Sequence, residues 1–134
     1  AQYAMAQVYR HGAGGIAADQ AEARRWLERA AGQGLDTAQI ELGSWLVERS
    51  GESDQKAGFA WLMRAAAAGN PAAQNRVAKL YRAGVGVEPD RVQAASWYLR
   101  ARRAGLVDLV MEDQLAGLTD EEMALATFNS DRLR

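Results

Sequence analysis

The sequence predicts an all-α fold: a superhelical stack of three helix-turn-helix repeats, closed by a C-terminal capping helical segment. Three observations predict it. A tryptophan-led pentapeptide recurs at a constant period, a second helical pattern recurs at that same period, and aspartate and glycine stand at fixed offsets between them. Periodicity of this kind marks a solenoid, in which each unit buries its apolar side against its neighbours and none is stable alone.

The pentapeptides are Trp26-Leu27-Glu28-Arg29-Ala30, Trp61-Leu62-Met63-Arg64-Ala65 and Trp97-Tyr98-Leu99-Arg100-Ala101, spaced 35 and 36 residues apart. They define the second helix of each unit, helix B. The first helix, A, is defined by Ala1-Gln2 with Met5-Ala6 and Tyr9, by Ala38-Gln39 with Leu42-Gly43 and Leu46, and by Ala73-Gln74 with Val77-Ala78 and Tyr81. Residues at i, i+4, i+5 and i+8 share one face of an α-helix. The units read as 1–36, 37–71 and 72–107 within a single solenoid domain, with a cap over 108–134.

The punctuation has physical causes. Asp19, Asp54 and Asp90 lie at or near the start of each B helix, where a carboxylate accepts from free N–H groups and opposes the helix dipole. Gly34, Gly69 and Gly105 fall where helix B must stop and the chain turn. Asn70-Pro71 reads as an N-cap followed by proline at the first helical position. The A-to-B connections are expected at His11 to Ala18, Glu48 to Ser53 and Gly84 to Pro89. Small residues at Ala6, Gly43 and Ala78 let helix A approach its own B, while Ala30, Ala65 and Ala101 admit the next A. Tryptophan is expected to fill the wedge between units.

Composition agrees with a helical globular chain: 49% hydrophobic, rich in alanine, and 25% charged. A net charge of −1 offers no global reason to expect nucleic acid or an anionic membrane as partner. Lys56 and Lys79 are the only lysines, which reads as a base-composition bias of the genome rather than interface chemistry. The absence of cysteine removes disulfides and thiolate chemistry. No apolar run approaches the roughly 20 residues of a membrane span. The chain opens inside a helical pattern and without a charged-then-apolar leader, which reads as part of something longer.

These residues resemble the Sel1-like repeat, a subclass of the tetratricopeptide-like helical solenoids. The third unit carries the pattern best, in Ala73, Val77, Tyr81, Gly84-Val85-Gly86-Val87, Asp90, Ala94, Trp97-Tyr98, Ala101 and Gly105. The second departs from it, since Ser50-Gly51-Glu52-Ser53 lacks the double-glycine loop and Gly58 replaces the usual helix alanine. The first has Gly12, Gly14, Gly15 and Ile16 in its loop. The resemblance covers residues 1 to about 105. It implies a right-handed α/α superhelix and a non-catalytic adaptor or scaffold, in bacteria often in envelope, secretion or signalling pathways, with no cofactor; it leans towards a periplasmic or exported protein.

Beyond the third unit the pattern breaks. Leu109 and Asp113 would stand for the motif alanine and leucine, and no tryptophan follows. Thr119-Asp120-Glu121-Glu122 reads as a capping box opening a last helix, Met123 to about Asn129. Capping of the open solenoid end is the expected role; a docking surface made by Met111, Leu115, Leu118, Met123, Leu125 and Phe128 is the alternative.

Catalysis finds little support. His11 is the sole histidine and falls in a glycine-rich loop without a nucleophile or orienting acid marked nearby. One histidine without cysteine makes no zinc site. The glycine loops follow no strand and lack the Gly-Lys-Ser/Thr ending of a phosphate loop. A glycan-active domain would need acids and aromatic platforms in one groove, which this register does not produce.

What remains is the inner face of the A helices: Tyr3, Ala4, Gln7, Arg10 and His11, then Ile40, Glu41, Ser44, Val47 and Glu48, then Asn75, Arg76, Lys79, Arg82 and Ala83. Unlike the core positions these do not repeat, as expected of a binding surface. The candidate partner-binding residues are Tyr3, Gln7, Arg10, Ile40, Glu41, Ser44, Glu48, Asn75, Arg76, Lys79 and Arg82, with an acidic partner segment opposite Arg76, Lys79 and Arg82. The expected partner is another protein or peptide; the alternative is a self-assembling module that forms a homo-oligomer through its solenoid ends.

Overall fold

The structure, a computed structural model, describes residues 2–12, 19–49 and 51–132. Among them lie α1 (Gln2–His11), α2 (Gln20–Gly32), α3 (Asp36–Val47), α4 (Glu52–Ala67), α5 (Pro71–Ala83), α6 (Arg91–Arg103), α7 (Leu109–Ala116) and α8 (Asp120–Arg132), and no strand. Helices pair as α1 with α2, α3 with α4 and α5 with α6, and each B helix then packs on the next A helix. The result is the all-α solenoid that the repeats predict.

Each B helix ends in the same way. Gly34, Gly69 and Gly105 adopt φ of 90°, 103° and 98°. Leu35, Asn70 and Leu106 then donate their N–H back to Ala30, Ala65 and Ala101, satisfying carbonyls the helix end would leave open. At the B starts, Asp19 accepts from the Glu22 N–H and Asp90 from those of Val92 and Gln93. The backbone N–H groups of Asp19 and Asp90 also donate to Tyr9 and Tyr81, closing the first and third hairpins. The second unit differs. Its α4 begins at Glu52 behind Gly51, so Glu52 and Ser53 belong to the helix rather than to the expected loop, and Asp54 lies within the first turn, paired with Arg49 at 2.6 Å. Two carboxylates in that turn favour the earlier start.

The glutamine of the repeated Ala-Gln pair has a structural role. Gln39 and Gln74 are buried and donate Nε2 to the carbonyls of Ala31 and Ala66, at 3.0 and 3.3 Å. Each ties an A helix to the end of the preceding B helix. The glycine loop of the third unit is likewise a packing device: Gly84 ends α5 with φ 75°, and a Cβ on Gly86 would lie 2.4 Å from the Gln55 carbonyl oxygen of α4. The corresponding first-unit loop, with Gly14, Gly15 and Ile16, lies outside the described residues, as does Ser50. His11 is the last residue of α1, one position before Gly12 turns at φ 74°, rather than a loop residue; it is exposed, with Nε2 3.2 Å from Gln7 Oε1.

Only one of the repeated tryptophans is fully core. Trp97 is buried, whereas Trp26 and Trp61 are half-buried. The arginine three residues on covers each ring, Arg29, Arg64 and Arg100 lying 4.7, 4.8 and 5.4 Å from the ring centroids. An i, i+3 spacing on a helix brings the two side chains together, and a guanidinium stacks well on an indole face. The position after the tryptophan is the buried one throughout, as Leu27, Leu62 and Tyr98.

The C-terminal segment is two helices. Asp108 caps α7 through Val110 and Met111. Thr119 and Glu122 exchange the two hydrogen bonds of a capping box, at 2.9 and 3.1 Å, and open α8 at Asp120. That helix is longer at both ends than the sequence suggested. It lies on α6, running in the same direction: Arg91 pairs with Glu122 at the two starts and Arg103 with Asp131 at the two ends. Ser96, Ala126 and Ser130 are all buried, and Ser96 donates to the Ala126 carbonyl, so small side chains bring the helices close. Met111 and Leu115 are buried and Leu118 and Met123 pack on the core, so the segment caps the third unit. Leu125 and Phe128 alone of the six proposed docking residues stay exposed.

Candidate functional site

The first helices of successive units lie side by side, and their outward polar residues form one surface. Its strongest link is Glu41 on α3. Tyr3 Oη and Gln7 Nε2 of α1 donate to its two carboxylate oxygens at 3.0 and 2.7 Å, and Arg10 pairs with it at 2.8 Å. Burial, then the Glu41 bond, raises the Tyr3 phenol above its ordinary value. Arg10 also lies 5.6 Å from the centroid of the Trp45 ring. Four candidates on α1 and α3 therefore form a polar latch between units.

A second latch joins α5 to the cap. Asp108 receives Asn75 Nδ2 at 3.0 Å and Lys79 Nζ at 2.6 Å. These bonds hold its carboxyl down at about 2. Its backbone N–H donates to the buried Tyr98 hydroxyl, which in turn donates to Glu112.

Between the latches is a cleft of about 400 Å³, walled by Ile40, Glu41, Ser44, Trp45 and Thr37 of α3 with Arg10, Glu48 and Arg76 at its edges. Arg76 and Glu48 are exposed and make no ion pair among the described residues. Arg82 stands apart, in a smaller hollow of about 290 Å³ with Pro89, Asp90, Arg91 and Gln114. Thus the structure does not gather Arg76, Lys79 and Arg82 into one hollow: Lys79 is paired with Asp108, and the other two line different hollows. Trp45 and Thr37 escaped the sequence reading; the signal was a fourth tryptophan outside the pentapeptide, on an A helix. Among the described residues no group of three or more His, Cys, Asp or Glu is placed to hold a metal ion, and no helix is long and apolar enough to cross a membrane.

The decisive comparison is with known repeats: residues 1–35, 37–70 and 71–106 each match the Sel1 repeat. The chain belongs to the Sel1 repeat family. A Sel1 repeat protein from Oxalobacter formigenes superposes with a TM-score of 0.70 at 36% identity, covering 87% of this chain and 86% of that one. The c5321 protective antigen of uropathogenic Escherichia coli, which displays the same repeat fold, gives 0.54 at 24% identity over 98% of this chain and 37% of that one, a likeness of fold alone. Two curated relatives are fungal. Chitin synthase regulatory factor 3 of Schizosaccharomyces pombe is 32% identical over 78% of this chain, and chitin synthase regulator SKT5 of Saccharomyces cerevisiae is 31% identical over 72%. The Sel1 array here spans only 12% and 14% of their lengths. The Sel1 repeats and the regulator names of these relatives are consistent with an adaptor fold.

Proposed function

We propose that this chain is a non-catalytic adaptor that binds a partner protein or peptide on the face formed by α1, α3 and α5. The observation supporting this is the cleft beside Ile40 and Trp45, whose edge charges Arg76 and Glu48 are unpaired among the described residues while neighbouring polar groups are latched in place. A surface whose polar groups are already ordered loses less entropy when it binds. The regulator relatives favour a regulatory rather than a chemical role for such a module.

Bulk placed on the face tests the proposal. Ala4 and Thr37 are exposed on α1 and α3. An Ala4→Trp/Thr37→Trp variant is expected to lose a partner that wild type and a Lys56→Glu control on α4 both capture from a lysate of the encoding organism, with thermal unfolding unchanged. Equal capture by all three overturns the proposal. A second reading, assembly through the solenoid ends, is favoured by the exposed Val107, Leu109, Val110, Leu125 and Phe128 of the C-terminal segment. Solution mass that rises with concentration, and falls to the monomer on Leu125→Lys/Phe128→Lys substitution, would support it.

A further inference from the structure

Two cations of the A-helix face are already paired, whereas Arg76, Glu48 and, in its separate hollow, Arg82 make no ion pair among the described residues. Arg10 is held by Glu41 and Lys79 by Asp108, so neither is free to meet a ligand without breaking a latch. Arg76 stands on one side of the cleft and Glu48 on another, both exposed and with no ion pair among the described residues. Glu48 lies just past the last turn of α3, where the dipole end is negative and no basic residue compensates. An acid there costs the isolated helix a few tenths of a kcal/mol, which a cation brought by a partner would offset. The cleft also holds two apolar groups, Ile40 and the Trp45 ring, beside the polar Thr37, the latched Glu41 and the Ser44 hydroxyl, which is buried and without a hydrogen-bond partner among the described residues.

Two unpaired opposite charges on a cleft that also presents Ile40 and the Trp45 ring define the complement. We infer that the α3–α5 cleft receives a partner segment in which an apolar side chain is flanked by an acid and a base, the acid pairing with Arg76 and the base with Glu48. The apolar side chain covers Ile40 and Trp45. The inference rests on the adaptor reading and adds to it the chemistry and the polarity of the bound segment. Charge pairs of this sort fix orientation and suppress wrong partners more than they add affinity.

The test uses the whole chain and phage-displayed random dodecapeptides. Selection on wild type is expected to enrich an acid–apolar–base order read along one direction of the cleft. Selection on the Arg76→Glu/Glu48→Arg double variant is expected to enrich the reverse order. A wild-type-selected peptide is expected to bind Arg76→Glu about tenfold more weakly, and a charge-swapped peptide to recover most of that loss on the double variant. Both substituted positions are exposed, and unchanged thermal unfolding confirms the fold. The inference is overturned if both selections give the same consensus, or if no peptide is enriched. If the peptides ignore the charge inversion yet are lost on Thr37→Trp, the inference fails and the adaptor reading stands. Peptides indifferent to Thr37→Trp as well remove both.

Discussion

Replacing Gly58 with alanine sets two opposed effects against each other, and the structure decides between them. In the first and third units the corresponding positions of each hairpin are alanines, Ala6 and Ala23, Ala78 and Ala94, all fully buried. In the second unit the same positions are Gly43 and Gly58. A Cβ on Gly58 would lie 2.6 Å from the Gly43 carbonyl oxygen and 2.9 Å from Leu46 Cβ. Helix propensity alone predicts a gain of about 1 kcal/mol for Gly58→Ala. Against this, the nearest obstacle is backbone, so α3 and α4 must separate, and overpacking of this kind costs about 1–3 kcal/mol. The net expectation is a loss of about 1 kcal/mol, or roughly 3–5 °C in Tm for a chain of this size. Gly43→Ala carries the same conflict, its Cβ falling 2.8 Å from the Gly58 carbonyl oxygen. Once the helices have moved apart for one alanine the second meets less resistance, so the double variant should be more stable than the sum of the singles. Gly32→Ala is the control: nothing lies within 4 Å of its Cβ and it is helical, so it should stabilise by about 0.5–1 kcal/mol. Urea denaturation measures all four. A Gly58→Ala protein as much stabilised as Gly32→Ala would refute the claim that α3 and α4 touch through backbone.

Three further expectations follow from named contacts. The Asp108 carboxyl titrates at about 2 rather than 3.8 when folded, so its stabilisation is complete above about pH 5 and is lost as pH falls through 4 towards 2; Lys79 is about half exposed, which limits the effect to about 1 kcal/mol. Asp108→Asn keeps a good cap for α7 and should flatten that acid limb in urea midpoints taken at pH 7 and pH 3. Gln39→Leu removes the bond to the Ala31 carbonyl and should cost about 1 kcal/mol by chemical denaturation, with helix content by circular dichroism preserved. Met111→Ala, at a fully buried position of the cap, should cost about 2–4 kcal/mol, whereas Phe128→Ala, on its exposed face, should stay within about 0.5 kcal/mol of wild type.

The helices of the three repeats were legible because each is punctuated locally. Gly34, Gly69 and Gly105 stop the B helices, Asp19 and Asp90 start them, and Thr119 with Glu122 opens α8, all within a few residues of chain. The latches were not legible, because they join residues one repeat apart: Tyr3 and Gln7 reach Glu41, and Asn75 reaches Asp108, at separations of 33 to 38 residues. Which polar groups of adjacent A helices meet depends on their relative offset and on side-chain rotamers, neither of which periodicity specifies. The same limit hid the Lys79 pairing, because Asp108 lies in a segment where the repeat pattern has broken. Trp26 and Trp61 pack against the core while only partly buried, a distinction from Trp97 that recurrence alone does not carry.

The most direct measurement for the adaptor account is amide hydrogen exchange of the chain with and without a bound partner or selected peptide. The account predicts slowed exchange in α3 and α5, centred on the turns that carry Ser44 and Arg76, with α4 and α8 unchanged. Protection confined to α7 and α8, or to the B helices, would contradict it.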